Sequence, residues 1–331
     1  MLRAAKLLCL LLGIGAGAYL VYSHGPAIRD SLLRVGWSGF VLYLAASFVV
    51  YFLDTLGWRL TFVEGQRDTP LMRLFCFRMA GEAVNKVTPL ASMGGEPLKG
   101  YLLARDGATL HDGIASVAIA KNVMTLAQIA FVWVAVALAW GRIPGQEKLL
   151  LGLTAFPSLI FAAMMVTAVL DLQLRRRKRA GIVEVEVEKP SRKQQVVALW
   201  TRVADFFWAH PRAFTLSLVV FFAGWAAGAL EVLVGAWVLG FSISPTDALV
   251  LEGLLASINM ATFFIPANAG SQEGGFAFLA PLLGLTTANG VALAVLRRCR
   301  DVVWVLFGLA YLAITEGRVL FRPEVTPEPA A

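Results

Sequence analysis

The stretch Glu82-Ala-Val-Asn-Lys-Val-Thr-Pro-Leu-Ala-Ser-Met-Gly-Gly-Glu-Pro97 decides the fold, because it interrupts the otherwise apolar segment 71–104 with charges, prolines and glycines. A second segment, 247–285, is interrupted in the same way around Pro266 and Gly270. Non-helical backbone is tolerated within a membrane only where protein or a water-filled cavity surrounds it. The pattern therefore predicts two re-entrant helical hairpins. The alternative is that each segment is one long, broken helix that crosses the membrane.

Residues of unusual type occur in pairs at a fixed offset of 177 positions. The pairs are Asp54 with Glu231, Pro89 with Pro266, Glu96 with Glu273, and Lys121 with Arg298. The segment 107–115 also falls on 284–292 at this offset, with four identities in nine positions. Self-similarity at a fixed spacing indicates an internal duplication. We therefore expect two structural repeats, at about 36–140 and 213–317.

Composition indicates an integral membrane protein. Hydrophobic residues make up 58% of the chain and charged residues 15%, whereas typical soluble domains contain about 25% charged residues. Runs close to the roughly 20 apolar residues that span a bilayer are predicted at 5–22, 36–63, 113–140, 149–172, 213–240 and 288–314. A cleaved signal peptide is the alternative for the first run, but its apolar character continues past Ala18 and favours an uncleaved span. The net charge of +7 then belongs to loops beside lipid headgroups, and no nucleic-acid partner is expected.

Loop charges predict how the chain is oriented. With two hairpins, 17 Lys and Arg residues fall in cytoplasmic loops and four fall outside, as the positive-inside rule requires. If the first broken segment crossed fully, the run Arg175–Arg179 would lie outside, so the charges favour hairpins. An odd number of crossings then separates the repeats, and they enter from opposite faces. Secondary transporters share this architecture, with the site at the repeat interface.

The predicted fold is therefore an all-α integral membrane protein with two inverted-topology repeats, each with a re-entrant helical hairpin. We expect one polytopic domain in a bacterial inner (cytoplasmic) membrane, with both termini in the cytoplasm. Its parts are an N-terminal span (1–35), repeat one (36–140), a linking span (149–172), a basic cytoplasmic loop (173–212), repeat two (213–317) and a tail (318–331).

Ionisable residues within the predicted spans and hairpins each need a partner or water, because a charge at the membrane centre costs about 2.5–3.5 kcal/mol on insertion scales. They are Asp54, Glu96, Lys121, Glu231, Glu273, Arg297, Arg298, Arg300 and Asp301. The last four leave an excess of positive charge, which we interpret as a site for a phosphate or another anionic headgroup. Helix interlocking is the alternative. Arg78 and Glu82 have i,i+4 spacing and are predicted to pair with each other.

The two breaks add polar and flexible residues to the predicted substrate path. Gly94, Gly95 and Gly270 would allow a ligand to approach the backbone closely and would allow positive φ. Glu96 and Glu273 begin short helices, whose free N–H groups either bind an anion or are capped by the carboxylate. The predicted path comprises Asp54, Asn85, Pro89, Gly94, Gly95, Glu96, Lys121, Glu231, Asn259, Pro266, Gly270, Glu273, Arg297, Arg298, Arg300 and Asp301.

At these breaks the chain resembles a known family. The stretch from Asn85 through Pro89 to Glu96 is similar to the N-x-x-x-P…G-G-E element of flippase-like membrane proteins, which include the membrane region of lysylphosphatidylglycerol synthases. The stretch from Pro266 to Gly274 is similar to their P…G…E-G element. The resemblance covers about 36–317, and stand-alone members associated with hopanoid synthesis look closest. It does not imply the aminoacyl-lipid synthase activity of bifunctional members, because no acyltransferase domain follows residue 317.

We therefore predict a flippase or transporter that moves a polar-headed or hopanoid-type lipid across or out of the membrane. Its expected partners are anionic, polyprenyl-linked or hopanoid lipids. The alternatives are an ion-coupled transporter of a soluble solute and a membrane-embedded enzyme that acts on lipid-linked substrates. The sequence has no His-Glu-x-x-His motif and no Cys-x-x-Cys pair, so we expect no enzyme activity, metal or cofactor. The identity of the lipid and the oligomeric state stay open.

Overall fold

The structure is a computed structural model that describes residues 25–62, 69–87, 94–179 and 205–320, and its regular elements are helices. In chain order they are α1 (Gly25–Leu60), α2 (Leu71–Val87), α3 (Gly95–Arg105), α4 (Leu110–Ala139), α5 (Glu147–Arg179), α6 (Pro211–Leu239), α7 (Pro245–Ala261), a 3-10 helix (Pro266–Asn268), α8 (Ser271–Leu282) and α9 (Thr287–Leu320). A further helical turn covers 205–209. The predicted span at 5–22, Pro89, most of the basic loop and the tail from 321 lie outside the described residues.

Four helices in the described part of the chain are long and apolar enough to cross a membrane. They are Leu33–Leu60, Leu110–Ala139, Glu147–Leu170 and Pro211–Val238, and they correspond to four predicted spans. Helix α9 has 34 residues, or about 51 Å at 1.5 Å per residue, which exceeds the roughly 30 Å hydrocarbon core. Arg297, Arg298 and Arg300 lie in its N-terminal half. The chain is an all-helical integral membrane protein.

The α2 and α3 helices fold back on each other across the first break. Near the break, a Cβ on Gly95 would lie 1.9 Å from the carbonyl oxygen of Gly81. At the other end, an ion pair joins Arg73 in the first turn of α2 to Asp106, which follows α3. Because both ends of the segment meet, α2 and α3 form a helical hairpin and not one long broken helix. The α7 and α8 helices also pack on each other across the second break.

The same order of elements occurs twice: a long helix, a helical hairpin and a second long helix. The first set is α1 to α4 and the second is α6 to α9. Helices α4 and α9 are capped alike, since the hydroxyl of Thr109 accepts from the Asp112 amide and that of Thr286 accepts from the Asn289 amide, each at 3.1 Å. These caps lie at the 177-residue offset. Local structure thus repeats at the spacing found in the sequence.

Each hairpin crosses the last helix of its own set at a glycine. A Cβ on Gly113 of α4 would lie 2.4 Å from the carbonyl oxygen of Gly100 in α3. A Cβ on Gly290 of α9 would lie 2.3 Å from the carbonyl oxygen of Phe276 in α8. No side chain fits at either position, so glycine sets the distance between these helices.

The two sets also interlock. Helix α1 packs along α6, and the first leg of each hairpin packs on the last helix of the other set, α2 on α9 and α7 on α4. Where α2 crosses α9, a Cβ on Gly308 would lie 2.3 Å from the carbonyl oxygen of Met79. Where α7 crosses α4, a Cβ on Gly253 would lie 2.1 Å from the Cβ of Ala135. Because the first leg of each hairpin packs on the last helix of the other set, polar residues of both sets lie close together between the sets.

The apolar core of the described residues has two large parts and a small third cluster around Ala277 and Val291. One contains Leu254 and Leu293 among its buried residues, and the other contains Leu74 and Leu103. Trp225 of α6 packs against both. Its ring therefore lies where the two parts of the core meet.

Candidate functional site

A cavity of about 260 Å³ lies between the two sets, and helices of both line it. Its charged lining residues are Asp54, Arg78, Glu82, Glu96, Lys99, Lys121, Glu231, Glu252, Arg297 and Arg300. Its aromatic lining residues are Tyr51, Trp58, Phe221 and Trp225, and Asn259 adds an amide. Five lining residues are acidic and five are basic, so the lining is formally neutral. This balance corrects the predicted excess of positive charge.

The first buried ion pair of the cavity joins α1 to α2. Arg78 Nη2 donates to Asp54 Oδ2 at 2.6 Å, and both side chains are buried. Helix α6 makes room for the carboxylate with a glycine, because a Cβ on Gly224 would lie 2.8 Å from Asp54 Oδ1. The predicted pairing of Arg78 with Glu82 is wrong, since the geometry places Arg78 on Asp54 and Glu82 on Lys99.

Glu231 of α6, the counterpart of Asp54, is the centre of a second buried group. It accepts from the Tyr43 hydroxyl at 2.7 Å and from Arg300 Nη1 at 2.8 Å. Arg297 Nε lies 3.6 Å from Glu231, which is too far for a hydrogen bond. These contacts join α1, α6 and α9.

Arg297 is bound mainly by Glu252 of α7. Its two terminal nitrogens lie 3.3 and 2.7 Å from the two carboxylate oxygens, which is the bidentate geometry that arginine favours. The guanidinium also lies 4.9 Å from the ring centroid of Phe276. A glycine again makes room, since a Cβ on Gly228 would lie 2.9 Å from Glu252 Oε1.

Asp301 extends the ion pairs beyond the cavity. It lies 2.8 Å from Arg300 Nη2 and 2.5 Å from Lys86 Nζ at the end of α2. The Arg300 guanidinium also lies 5.5 Å from the ring centroid of Tyr51. The arginines of α9 therefore interlock helices, as the alternative interpretation of this cluster held.

The first break is held by polar side chains of α2 and α3. Lys99 Nζ donates to Glu82 at 2.7 Å and to Glu96 at 3.1 Å. The Gly95 amide donates to Asn85 Oδ1 at 2.7 Å. Gly94 has a φ of −69°, so it does not adopt the positive φ that glycine allows. The lack of a side chain at Gly95 lets the backbone of Gly81 in α2 come close. The close contact that Gly95 permits is therefore with α2 and not with a ligand.

The second break is clamped by Arg298 and Glu273. Glu273 caps α8 by accepting from the Gly270 amide at 2.8 Å, and Arg298 Nε donates to its other oxygen at 2.5 Å. Arg298 also donates to the carbonyl oxygens of Ala267 and Asn268 at 2.7 and 3.0 Å. Ala267 and Asn268 have φ of 51° and 50°, and Gly270 has φ of 80°. Left-handed backbone is unfavourable for residues other than glycine, so these contacts hold an unusual turn.

Lys121 and Glu96 form the equivalent pair of the first set, but at 3.8 Å. The Lys121 side chain is 55% exposed, whereas that of Arg298 is 28% exposed. Glu96 and Lys121 line the cavity, whereas Glu273 and Arg298 do not. The ion pair at the first break therefore belongs to the lining of the cavity, and the ion pair at the second break does not.

The structure gathers part of the predicted path. Asp54, Glu96, Lys121, Glu231, Asn259, Arg297 and Arg300 line the cavity. Asn85, Gly94, Gly95, Gly270, Glu273, Arg298 and Asp301 do not line it, Pro266 begins the 3-10 helix, and Pro89 lies outside the described residues. The predicted path missed four charged lining residues, Arg78, Glu82, Lys99 and Glu252. What the sequence shows for each is a charged residue in a leg of a hairpin. We had interpreted Arg78 and Glu82 as a pair on one helix and had given Lys99 and Glu252 no role.

No group of three or more His, Cys, Asp or Glu residues that would hold a metal ion occurs in the described part of the chain. The carboxylates of the cavity are bound by arginine and lysine instead. What the site offers is a set of buried ion pairs beside aromatic rings, in a protein that spans a membrane.

The chain belongs to the family described as the lysylphosphatidylglycerol synthase TM region, which it matches over residues 6–309. The resemblance found at the two breaks is thus confirmed. The chain is also 29% identical over 110 residues to a UPF0104 membrane protein of Methanothermobacter thermautotrophicus. That match covers 33% of this chain and 32% of the relative, or about a third of each. No solved structure matches the chain.

Proposed function

We propose that this chain is a lipid flippase, which moves a polar-headed lipid between the leaflets of a bacterial inner membrane without changing it chemically. The observation that carries the proposal is a cavity of about 260 Å³, lined by ten ionisable residues from both sets of helices. Moving polar groups through hydrocarbon without hydrogen-bond partners is very unfavourable. The ion-paired cavity would replace the water around the headgroup, while the acyl chains stay in the bilayer.

Access to the cavity supports a lipid over a soluble solute. Lys121 lies on α4, one of the helices apolar enough to span the membrane, yet its side chain is 55% exposed. A lysine exposed in the middle of a spanning helix would meet a headgroup that enters sideways. A transporter of soluble solutes would instead need a path that is closed to lipid.

The two equivalent ion pairs suggest how access would alternate. We propose that the sets are inverted in the membrane, as in secondary transporters that rock one repeat against the other. In the present state the Arg298–Glu273 pair is short and the Lys121–Glu96 pair is long. In the opposite state the first pair would open and the second would tighten.

Reconstituted vesicles test the proposal. Purified protein is placed in vesicles that contain fluorescent lipids of several headgroup classes, and an impermeant reductant bleaches the outer leaflet. Faster loss of the protected inner fraction than in protein-free vesicles is expected for at least one class. Uptake of a soluble solute without lipid exchange would assign the chain to the ion-coupled transporters. A chemically altered lipid would assign it to the enzymes.

A further inference from the structure

The last turn of α2 binds both the first break and the second set of helices. Asn85 Oδ1 accepts from the Gly95 amide at 2.7 Å, across the first break. The next residue, Lys86, has its Nζ 2.5 Å from Asp301 Oδ2 of α9. This ion pair joins the two sets, whereas each ion pair between two residues that line the cavity stays within one set. Lys86 therefore ties the end of α2 to α9.

Helix α9 also holds the second break. Arg298, which binds Glu273 and two carbonyl oxygens of that break, lies three residues before Asp301 on α9. At 1.5 Å per residue, the two residues are about 4.5 Å apart along the helix axis, less than one turn. A shift or rotation of α9 that moves one of them also moves the other. The contacts of the two breaks are therefore joined through one short segment of helix.

The Lys86–Asp301 ion pair has no counterpart in the second set. At the 177-residue offset, the equivalent positions are Phe263 and Met124, and neither side chain carries a charge. Helix α7 nevertheless packs on α4 as α2 packs on α9, so this type of crossing forms without an ion pair. A buried ion pair often adds no net stability compared with well-packed apolar residues. The packing of α2 on α9 therefore does not by itself explain the pair.

We propose that the Lys86–Asp301 ion pair couples the two breaks, so that the contacts of the first break help to keep the second break closed. With the pair intact, Lys86 holds α9 in the position where Arg298 reaches Glu273. Without it, α9 is free to move and the second break opens more often. The inference rests on the proposed alternation of the two breaks and names the contact that links them.

Labelling of the second break in purified protein tests the coupling. A cysteine-free background carries Ser271→Cys at the start of α8, and the rate of reaction with a water-soluble thiol reagent reports how often the break opens. Lys86→Met should raise this rate about fivefold or more, from the low end of typical couplings between two sites upward. Lys86→Arg keeps the positive charge and should react as the parent does.

Arg73→Met is the matched control, because it removes a cation from the other end of α2. The ion pair of Arg73 with Asp106 stays within the first set, so its loss should leave the labelling rate at position 271 unchanged. Equal acceleration by Arg73→Met and Lys86→Met would show a general loosening of α2 and would overturn the coupling.

A double variant guards against misfolding. Lys86→Met with Asp301→Asn removes both charges of the pair, so neither is left without its partner. It should react as fast as Lys86→Met alone, because the two changes remove one contact and their effects do not add. Melting temperatures in detergent verify that each variant is folded. A parental labelling rate in the folded double variant would overturn the coupling.

Lipid exchange in vesicles, measured on the same proteins, separates this inference from the proposed function. If lipid exchanges but the labelling rate does not respond to Lys86→Met, the coupling fails and lipid transport stands. If the labelling rate responds but no lipid moves, the coupling stands and the proposed transport fails.

Discussion

Arg298 binds Glu273 at 2.5 Å, in the same place in the second set that Lys121 occupies beside Glu96 in the first, where the distance is 3.8 Å. Two equivalent positions in one chain thus hold the same kind of ion pair in a tight and a loose form. The tight form uses an arginine fork that also reaches two backbone carbonyls. The loose form uses a lysine, which has no fork. This difference leads to the first prediction.

Arg298→Lys should loosen the second break, because lysine cannot bind the carboxylate and both carbonyls together. The experiment uses a cysteine-free background that carries Ser271→Cys. An impermeant thiol reagent should label the Arg298→Lys variant about tenfold faster than the parent that keeps Arg298, since a lost hydrogen bond to a charged group is worth about 1.5–3 kcal/mol. Arg142→Lys is the control, as it changes an exposed pair with Asp247. Equal labelling rates for all three proteins would show that the contacts of Arg298 do not hold the second break closed.

Glu96→Gln and Glu273→Gln test the two carboxylates in isolation. Glutamine keeps an amide oxygen that accepts a hydrogen bond, so capping at Gly270 survives while the charge is lost. We expect each variant to fold and to slow lipid exchange by about tenfold or more, because hydrogen bonds to charged groups are worth about 1.5–3 kcal/mol. Full activity of both variants would limit these residues to helix capping.

Asp54→Asn should lower the free energy of unfolding by about 3–5 kcal/mol, the typical cost of stranding one member of a buried pair. Adding Arg78→Met should recover much of that loss, because no unpaired charge remains. Denaturant titration in detergent measures all three proteins. If the double variant is no more stable than Asp54→Asn alone, the pair is not the source of the effect.

Gly290→Ala should destabilise the fold by about 1–3 kcal/mol, as overpacking does in a close-packed core. The new Cβ would lie 2.3 Å from a backbone oxygen, which cannot swing away. Gly274→Ala is the control, because a Cβ at that helical position meets nothing within 4 Å. Thermal unfolding in detergent compares the two, and an equal melting temperature would argue against a tight crossing of α8 and α9.

Single cysteines test the inverted orientation. In a cysteine-free background, Arg29→Cys and Gln146→Cys should react with an impermeant thiol reagent added outside the cell, and Arg192→Cys should not. The expectation follows from the positive-inside rule. External labelling at position 192 would exclude the hairpin topology and the inverted repeats together.

The sequence by itself determined the membrane class, the helical spans and the two breaks, because these follow from local properties. An apolar run of sufficient length has few alternatives to a membrane helix, and a cluster of proline and glycine interrupts a helix wherever it occurs. The predicted spans at 113–140 and 213–240 accordingly differ from α4 and α6 by only a few residues. The 177-residue offset likewise anticipated that Lys121 and Arg298 would occupy equivalent places.

Only the tertiary structure decided how the charges are partnered. Arg78 lies four residues from Glu82, yet it binds Asp54 of another helix; Arg297 binds Glu252, 45 residues away. Sequence spacing predicts contacts along one helix, whereas a buried charge takes whichever partner the packing brings nearest. Because separate helices of one set pack side by side, those partners are distant in sequence. The packing of α6, α7 and α8 against α9 places Glu231, Glu252 and Glu273 beside the arginines of α9, so an apparent excess of positive charge becomes a set of ion pairs.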